Sequence, residues 1–116
     1  MNLIPGLAMD RADLSRLENK ALETLERAIT DAGGRTYGSW VSHRELLDNV
    51  GVRYGARIWE LRQKGFGIAR RNFKGDTRVS LYHLDHYAPD WTAPRAFQEE
   101  QGILFGEPLT GAPKSV

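Results

Sequence analysis

Lysine and arginine residues are concentrated in the middle of the 116-residue chain. Residues 43–84 hold nine of them against four aspartates and glutamates, a net charge of +5, whereas residues 1–42 carry −1 and residues 85–116 carry −3. Guanidinium and ammonium groups bind phosphates, and the arginine fork also matches the major-groove edge of guanine. The distribution therefore predicts a surface for a polyanion. The alternative is a solvated face that only keeps the domain soluble.

Residues for other kinds of chemistry are few. The chain has no cysteine, which excludes disulfides and thiolate metal sites. His83, Asp85 and His86 are close in sequence but lack a fixed metal-ligand spacing, and Gly33-Gly34 lacks the rest of a phosphate-binding loop. We therefore expect no catalytic residues, no metal and no cofactor, in a protein that is not an enzyme.

Length and hydropathy limit the class of protein. A chain of 116 residues suits one domain with short extensions. No apolar run approaches the roughly 18 residues of a membrane helix, and the N-terminus lacks the pattern of a signal peptide. We expect a cytoplasmic protein without membrane contact.

Apolar residues at three- and four-residue steps predict a first helix after a loose lead-in of residues 1–12. We expect Asp13 to cap this helix and Gly33-Gly34 to end it. After an extended segment that ends at Val41, Ser42 and Glu45 have the spacing of a capping box. A short second helix follows.

The second and third helices form a recognisable pair. Asn49-Val50-Gly51 ends the second helix, and a third runs from about Arg53 to Lys64, where Gly65 ends it. Two short helices joined by a brief turn with glycine are typical of a helix-turn-helix.

Two strand-like segments follow the third helix. They span 68–73 and 77–84, with Lys74-Gly75-Asp76 as a three-residue turn between them. The order of elements predicts an α+β winged helix, with three helices and a β-hairpin wing over residues 13–84. Residues 85–116 form a largely irregular acidic tail.

The residues from Gly51 to Ile68, with Tyr82-His83-Leu84, also carry a resemblance. The pattern Arg-Ile-x-x-Leu-Arg-x-x-Gly followed by Ile and Tyr-x-Leu resembles small winged-helix proteins of bacteria and their phages. The resemblance covers about residues 21–84. It implies the winged-helix fold and a tendency to bind DNA.

One side of the third helix is predicted to contact DNA. A helical wheel places Ile58 and Leu61 toward the core. On the other side it places Arg53, Ala56, Arg57 and Glu60, with Gln63 and Lys64 nearby. Arg57 suits a bidentate contact to guanine, and Arg53 suits guanine or a phosphate. Glu60 suits cytosine, or an ion pair with Arg57 or Lys64.

The wing and the second helix add cations to this surface. Four lie on or beside the hairpin tip, where they suit phosphates or the minor groove: Arg70, Arg71, Lys74 and Arg78. Ser42 and Arg44, at the start of the second helix, lie beside the DNA backbone. In this fold we expect helix, wing and helix start to share one surface.

The last strand is apolar on both faces, so its second face needs a cover. We expect Tyr87, Trp91 and Phe97 to fold back over the hairpin of the same chain or of a second subunit, which makes a homodimer possible. Trp59, at the edge of the third helix, is a further candidate contact.

A second peptide pattern lies in the tail. Gln101, Leu104 and Phe105 resemble the Gln-x-x-Leu-Phe peptide by which many bacterial replication and repair proteins hold the sliding clamp, although Gly102 departs from the usual aliphatic residue. The resemblance implies the clamp as a partner. The alternative is that Ile103, Leu104 and Phe105 pack on this protein's own domain.

Three functions follow from these observations. The first is a non-enzymatic double-stranded DNA-binding protein, a small bacterial or phage transcription regulator. The second is a replication or repair adaptor tethered to the clamp through its tail. The third is a winged helix used only for protein–protein contact.

Overall fold

The computed structural model describes residues 8–95, which form three helices and a three-stranded antiparallel sheet. The elements in chain order are α1 (Arg16–Thr30), β1 (Val41–Ser42), α2 (His43–Val50), α3 (Tyr54–Gln63), β2 (Gly67–Phe73) and β3 (Asp76–His86). The predicted α+β winged helix is confirmed, with α2 and α3 as the helix-turn-helix and the β2–β3 hairpin as the wing.

Strand β3 is the centre of the sheet, between β1 and β2. Tyr82 lies opposite Val41 on one side and Arg70 on the other. The hairpin turn has two residues, not the predicted three, because Phe73 pairs with Asp76. Lys74 and Gly75 both have positive φ, +48° and +81°. Positive φ at both turn residues matches the twist of a hairpin, and glycine adopts it without strain.

Helix α1 begins later than predicted, and Asp13 is not its cap. Ser15 caps it, because its hydroxyl accepts from the Glu18 amide at 3.1 Å and the Glu18 carboxylate accepts from the Ser15 amide at 2.9 Å. Asp13 instead accepts from the Asp10 amide, in a 3-10 turn over Arg11–Asp13. This extra turn shifts the start of the helix.

Half of the capping box predicted for α2 is present. The Ser42 hydroxyl accepts from the Glu45 amide at 3.2 Å. The Glu45 carboxylate binds Arg35 instead, at 2.6 and 3.0 Å. Arg35 is positioned for this by its bonds to the carbonyls of Gly38 and Trp40. A charged partner displaces the weaker bond to the helix's own amide.

The core lies between α1, the helix-turn-helix and the inner face of the sheet. It is built from residues that are almost completely buried: Ala21, Leu22, Leu25, Ala28, Val41, Leu46, Ile58, Leu61, Ile68 and Leu84. Burial of each large aliphatic side chain contributes about 1.5–3 kcal/mol before the entropy cost of folding is counted. Ile58 and Leu61 anchor α3 in this core and direct its other side to solvent.

The segment after β3 joins this core and does not cover the outer face of the hairpin. Tyr87 and Trp91 are buried against Phe66, with ring centroids 6.2 and 5.2 Å from it. On the outer face of the sheet, Trp40 lies 4.1 Å from the Arg71 guanidinium and 5.0 Å from the His83 ring. The predicted cover of the outer face is therefore wrong for Tyr87 and Trp91, which pack in the core. Trp40 covers that face instead. Phe97 lies outside the described residues.

The two ends of the described chain are joined to each other and to α1. The Met9 amide donates to the Asp90 carbonyl at 2.8 Å, and the Thr92 amide donates to the Met9 carbonyl at 2.9 Å. The buried Glu26 carboxylate accepts from Tyr87 at 2.6 Å and from Arg11 at 2.8 Å. Residues 8–12 and 87–92 are thus part of the packed structure, while the boundaries at 13 and 84 stay a prediction.

We expect a Tyr87→Phe variant to lose about 1–3 kcal/mol in free energy of unfolding, because a buried carboxylate loses one of its donors. Urea unfolding at pH 7 measures the loss. Tyr37→Phe is the control, since its ring packs edge-on against Phe73 at 5.0 Å and phenylalanine keeps that contact. Equal losses in both variants would contradict the role of the hydroxyl.

Candidate nucleic-acid interface

Helix α3 is held against α1 along one edge. Lys64 donates to the buried Glu18 at 3.1 Å. Burial alone would raise the pKa of Glu18, but the Ser15 amide and the Lys64 ammonium outweigh it and hold the pKa below its usual value. Lys64 therefore has a structural partner, although the sequence assigns it to DNA.

Two further residues predicted to contact bases are paired with each other. Arg57 donates from Nη2 to Glu60 Oε2 at 2.9 Å, and the Arg57 side chain is only 21% exposed. The sequence left two roles open for Glu60, a contact to cytosine or an ion pair. In the structure Glu60 forms the ion pair with Arg57. A bidentate contact from Arg57 to guanine requires this pair to open.

Exposed cations on the helix-turn-helix and the wing include Arg53, Arg44 and Arg70. Arg53 is the residue before α3, and Arg44 lies on the first turn of α2; both side chains are exposed. The Ser42 hydroxyl is occupied as the α2 cap. Ala56 is half-buried on α3, where its small side chain permits close approach.

Arg70, on strand β2 of the wing, lies close to α3. It lies opposite Tyr82, whose ring is 6.1 Å from that of Tyr54. Burial and the neighbouring Tyr82 raise the pKa of Tyr54, and the charge of Arg70 opposes that rise. The guanidinium also donates to the Ser80 hydroxyl at 2.9 Å. The inner face of the wing therefore carries a cation beside the helix-turn-helix.

Arg71 does not share this surface. It lies opposite Leu81, one residue on from Arg70, and side chains alternate between the faces of a strand. Its guanidinium packs over Trp40 on the outer face. The expectation of one common surface for all wing cations is wrong for Arg71, because adjacent residues of a strand point in opposite directions.

The remaining wing cations lie at the tip. Lys74 is exposed in the turn, with its ammonium 5.2 Å from the Phe73 ring. Arg78 is exposed and pairs with Asp76 at 3.1 Å. This guanidinium and the Arg78 amide hold the pKa of Asp76 below its usual value.

Sequence reasoning underrated two exposed apolar residues at the helix-turn-helix. Val52, in the turn between α2 and α3, is 82% exposed, and Trp59 on α3 is 60% exposed. Trp59, at the edge of the helical wheel, was already a candidate contact from the sequence. Val52 could also have been noticed, because an aliphatic residue in a turn beside the predicted contact helix has no core to pack into.

Within residues 8–95, no cluster of three or more histidine, cysteine, aspartate or glutamate side chains is suited to a metal. His83 bonds to Asp85 at 2.7 Å, whereas His86 turns to the Tyr87 carbonyl. None of the helices in this described part is long and apolar enough to cross a membrane. Gln101, Leu104 and Phe105 lie outside it, so the clamp contact stays a prediction, as does the homodimer.

The three helices and the hairpin match a known family at the level of sequence. The model of the family described as a winged helix-turn-helix domain matches residues 24–87, more than half of the chain. The match runs from the middle of α1 to the residue after β3. Searches of curated proteins and of solved structures gave no match.

We expect Lys64→Met to lower the free energy of unfolding at pH 7 by about 1–3 kcal/mol, because Glu18 stays buried without its ammonium partner. The pKa of Glu18 is lower in the folded than in the unfolded chain. The Glu18 carboxylate therefore stabilises the fold fully at pH values above its pKa in the unfolded chain, about 4.3. This stabilisation is lost as the pH falls through the lower pKa that Glu18 has in the folded chain.

The difference between wild type and Lys64→Met should accordingly narrow between pH 7 and pH 3 in urea unfolding. Lys20→Met, on the exposed side of α1, is the control and should change little. A difference that is constant with pH would show that Lys64 stabilises α3 by packing and not by charge.

Proposed function

Because the chain belongs to the winged helix-turn-helix domain family, we propose that it binds double-stranded DNA as a small transcription regulator. In this proposal α3 enters the major groove and the β2–β3 hairpin lies along the backbone. The resemblance to small bacterial and phage winged-helix proteins supports the binding of DNA.

The observation that carries the proposal is the position of three exposed cations. Arg44, Arg53 and Arg70 come from α2, the start of α3 and the inner face of the wing, and Arg70 lies close enough to Tyr54 to affect its pKa. These elements are far apart in sequence. Arg44 and Arg53 belong to the helix-turn-helix and Arg70 to the wing beside it, so both parts of the fold offer exposed cations for phosphates at the edges of a groove.

The proposed contacts divide by chemistry. Arg44, Arg70, Lys74 and Arg78 hold phosphates, and the start of α2, capped by Ser42, lies beside the backbone. Arg53 contacts a base edge or a phosphate, and Ala56 permits close approach. Arg57, Glu60 and Lys64 contact DNA only if they exchange their present ion-pair partners for it, and Arg71 only from the outer face.

Fluorescence anisotropy of a mixed-sequence duplex at several salt concentrations tests the proposal. We expect affinity to fall steeply with salt, because bound phosphates release counterions. An Arg53→Ala, Arg70→Ala double variant should bind more weakly, and its slope of log affinity against log salt should be shallower by about 2.

The matched control is Arg16→Ala, Arg27→Ala, which removes the same charge from the exposed side of α1. It should keep the wild-type slope. The proposal fails if wild type does not bind at low salt, or if the two double variants behave alike.

A further inference from the structure

The row of α3 that lies directly opposite the core residues Ile58 and Leu61 carries no charged side chain. Ala56, Trp59 and Gln63 recur at steps of three and four residues, so they lie in one row along the helix. Val52 lies in the turn before the helix, at the same end as Arg53. We call these four residues the apolar stripe; Val52 and Trp59 are its most exposed members.

The charges beside the apolar stripe are already engaged. On the α1 side, Arg57 binds Glu60 and Lys64 binds Glu18. On the β2 side, Arg62 donates to the Ile68 carbonyl at 2.9 and 3.1 Å. A partner that approaches this side of α3 therefore meets apolar surface and the amide of Gln63.

The surroundings of the apolar stripe specify the class of partner. An exposed cation, Arg53, lies at its start, and the neighbouring elements carry two more, Arg44 on the first turn of α2 and Arg70 on the wing. A partner that complements this arrangement has anionic groups at its edges and apolar groups between them. The major groove of DNA has phosphates at its edges, and thymine is the base that places a methyl group on its floor.

We propose that the apolar stripe recognises A·T base pairs, with Val52, Ala56 and Trp59 against thymine methyl groups and the Gln63 amide on adenine. Glutamine pairs with the N6 and N7 atoms of adenine, and small or aromatic apolar side chains contact the thymine methyl. This inference rests on the proposed function and adds the sequence class of the duplex.

A second copy of the chain fits the apolar stripe less well. A two-fold interface places the same patch on both partners. Each copy would therefore bring the same exposed cations to the edges of the contact, while the Glu60 carboxylate is already paired with Arg57, and like charges oppose association.

The test compares three duplexes by fluorescence anisotropy at one salt concentration. The first is A·T-rich, the second has the same sequence with deoxyuridine in place of thymidine, and the third is G·C-rich. Deoxyuridine removes only the methyl group. We expect tightest binding to the first duplex and a loss of about fourfold for each methyl contact removed.

Variants assign the effect to the stripe. Trp59→Ala and Val52→Ala should each reduce the ratio of thymidine to deoxyuridine affinity, and both residues are exposed enough for the fold to tolerate the change. Gln63→Ala should reduce the preference over the G·C-rich duplex. Leu47→Ala is the control, since this partly exposed leucine lies on α2 outside the stripe, and it should keep the wild-type ratio.

The outcomes separate this inference from the proposed function. Salt-dependent binding with equal affinity for thymidine and deoxyuridine duplexes, or with a preference for the G·C-rich one, overturns the inference and leaves the proposed function standing. No binding to any duplex at low salt overturns both. A wild-type dimer in sedimentation that Trp59→Ala dissociates also overturns the inference, because the stripe would then be covered by a second copy.

Discussion

Glu18 and Glu26 lie about two turns apart on α1, and each is only 5% exposed. A carboxylate removed from water destabilises the fold by several kcal/mol unless a cation or hydrogen-bond donor reaches it. The donors come from other elements: Lys64 of α3 binds Glu18, and Arg11 and Tyr87 bind Glu26. These contacts join α3 and the ends of the described part, residues 8–12 and 87–92, to α1, beside the apolar core that anchors the same elements.

The same constraint shapes the proposed DNA interface. Lys64 is occupied because it joins α3 to Glu18 of α1, and Arg57 is occupied by Glu60 of its own helix, so both cations have partners within the protein. Under the proposed function, phosphate contacts then come mainly from α2 and the wing, and contacts to bases come from the least charged side of α3. Affinity would then depend mainly on α2 and the wing, and sequence preference on α3. Substitutions on α2 or the wing would change the salt dependence of binding, whereas substitutions on α3 would change its selectivity.

Local signals in the sequence predicted most of the fold. The period of apolar residues indicated the first helix, and the Ser42–Glu45 spacing with the glycines at 51 and 65 indicated the other two. Gly75 between two strand-like segments located the hairpin. These signals act within a few residues. The choice of partner by charged side chains was not predictable in this way. Lys64 and Glu18 are 46 residues apart, and Tyr87 and Glu26 are 61 apart, so no spacing relates them. Arg57 is a different case: its spacing from Glu60 made their ion pair one of the predicted alternatives, but the sequence does not rank that pair against a contact to guanine.

The β-bridge between Met9 and Trp91 brings the two ends of the described domain together. The described domain begins and ends at neighbouring points, on the side of α1 where Tyr87 meets Glu26. A short linker between these points would close the chain into a ring, and the ring could then be opened at an exposed turn such as Lys74-Gly75. The domain is therefore suited to circular permutation, and to insertion as a unit into a surface loop of another protein.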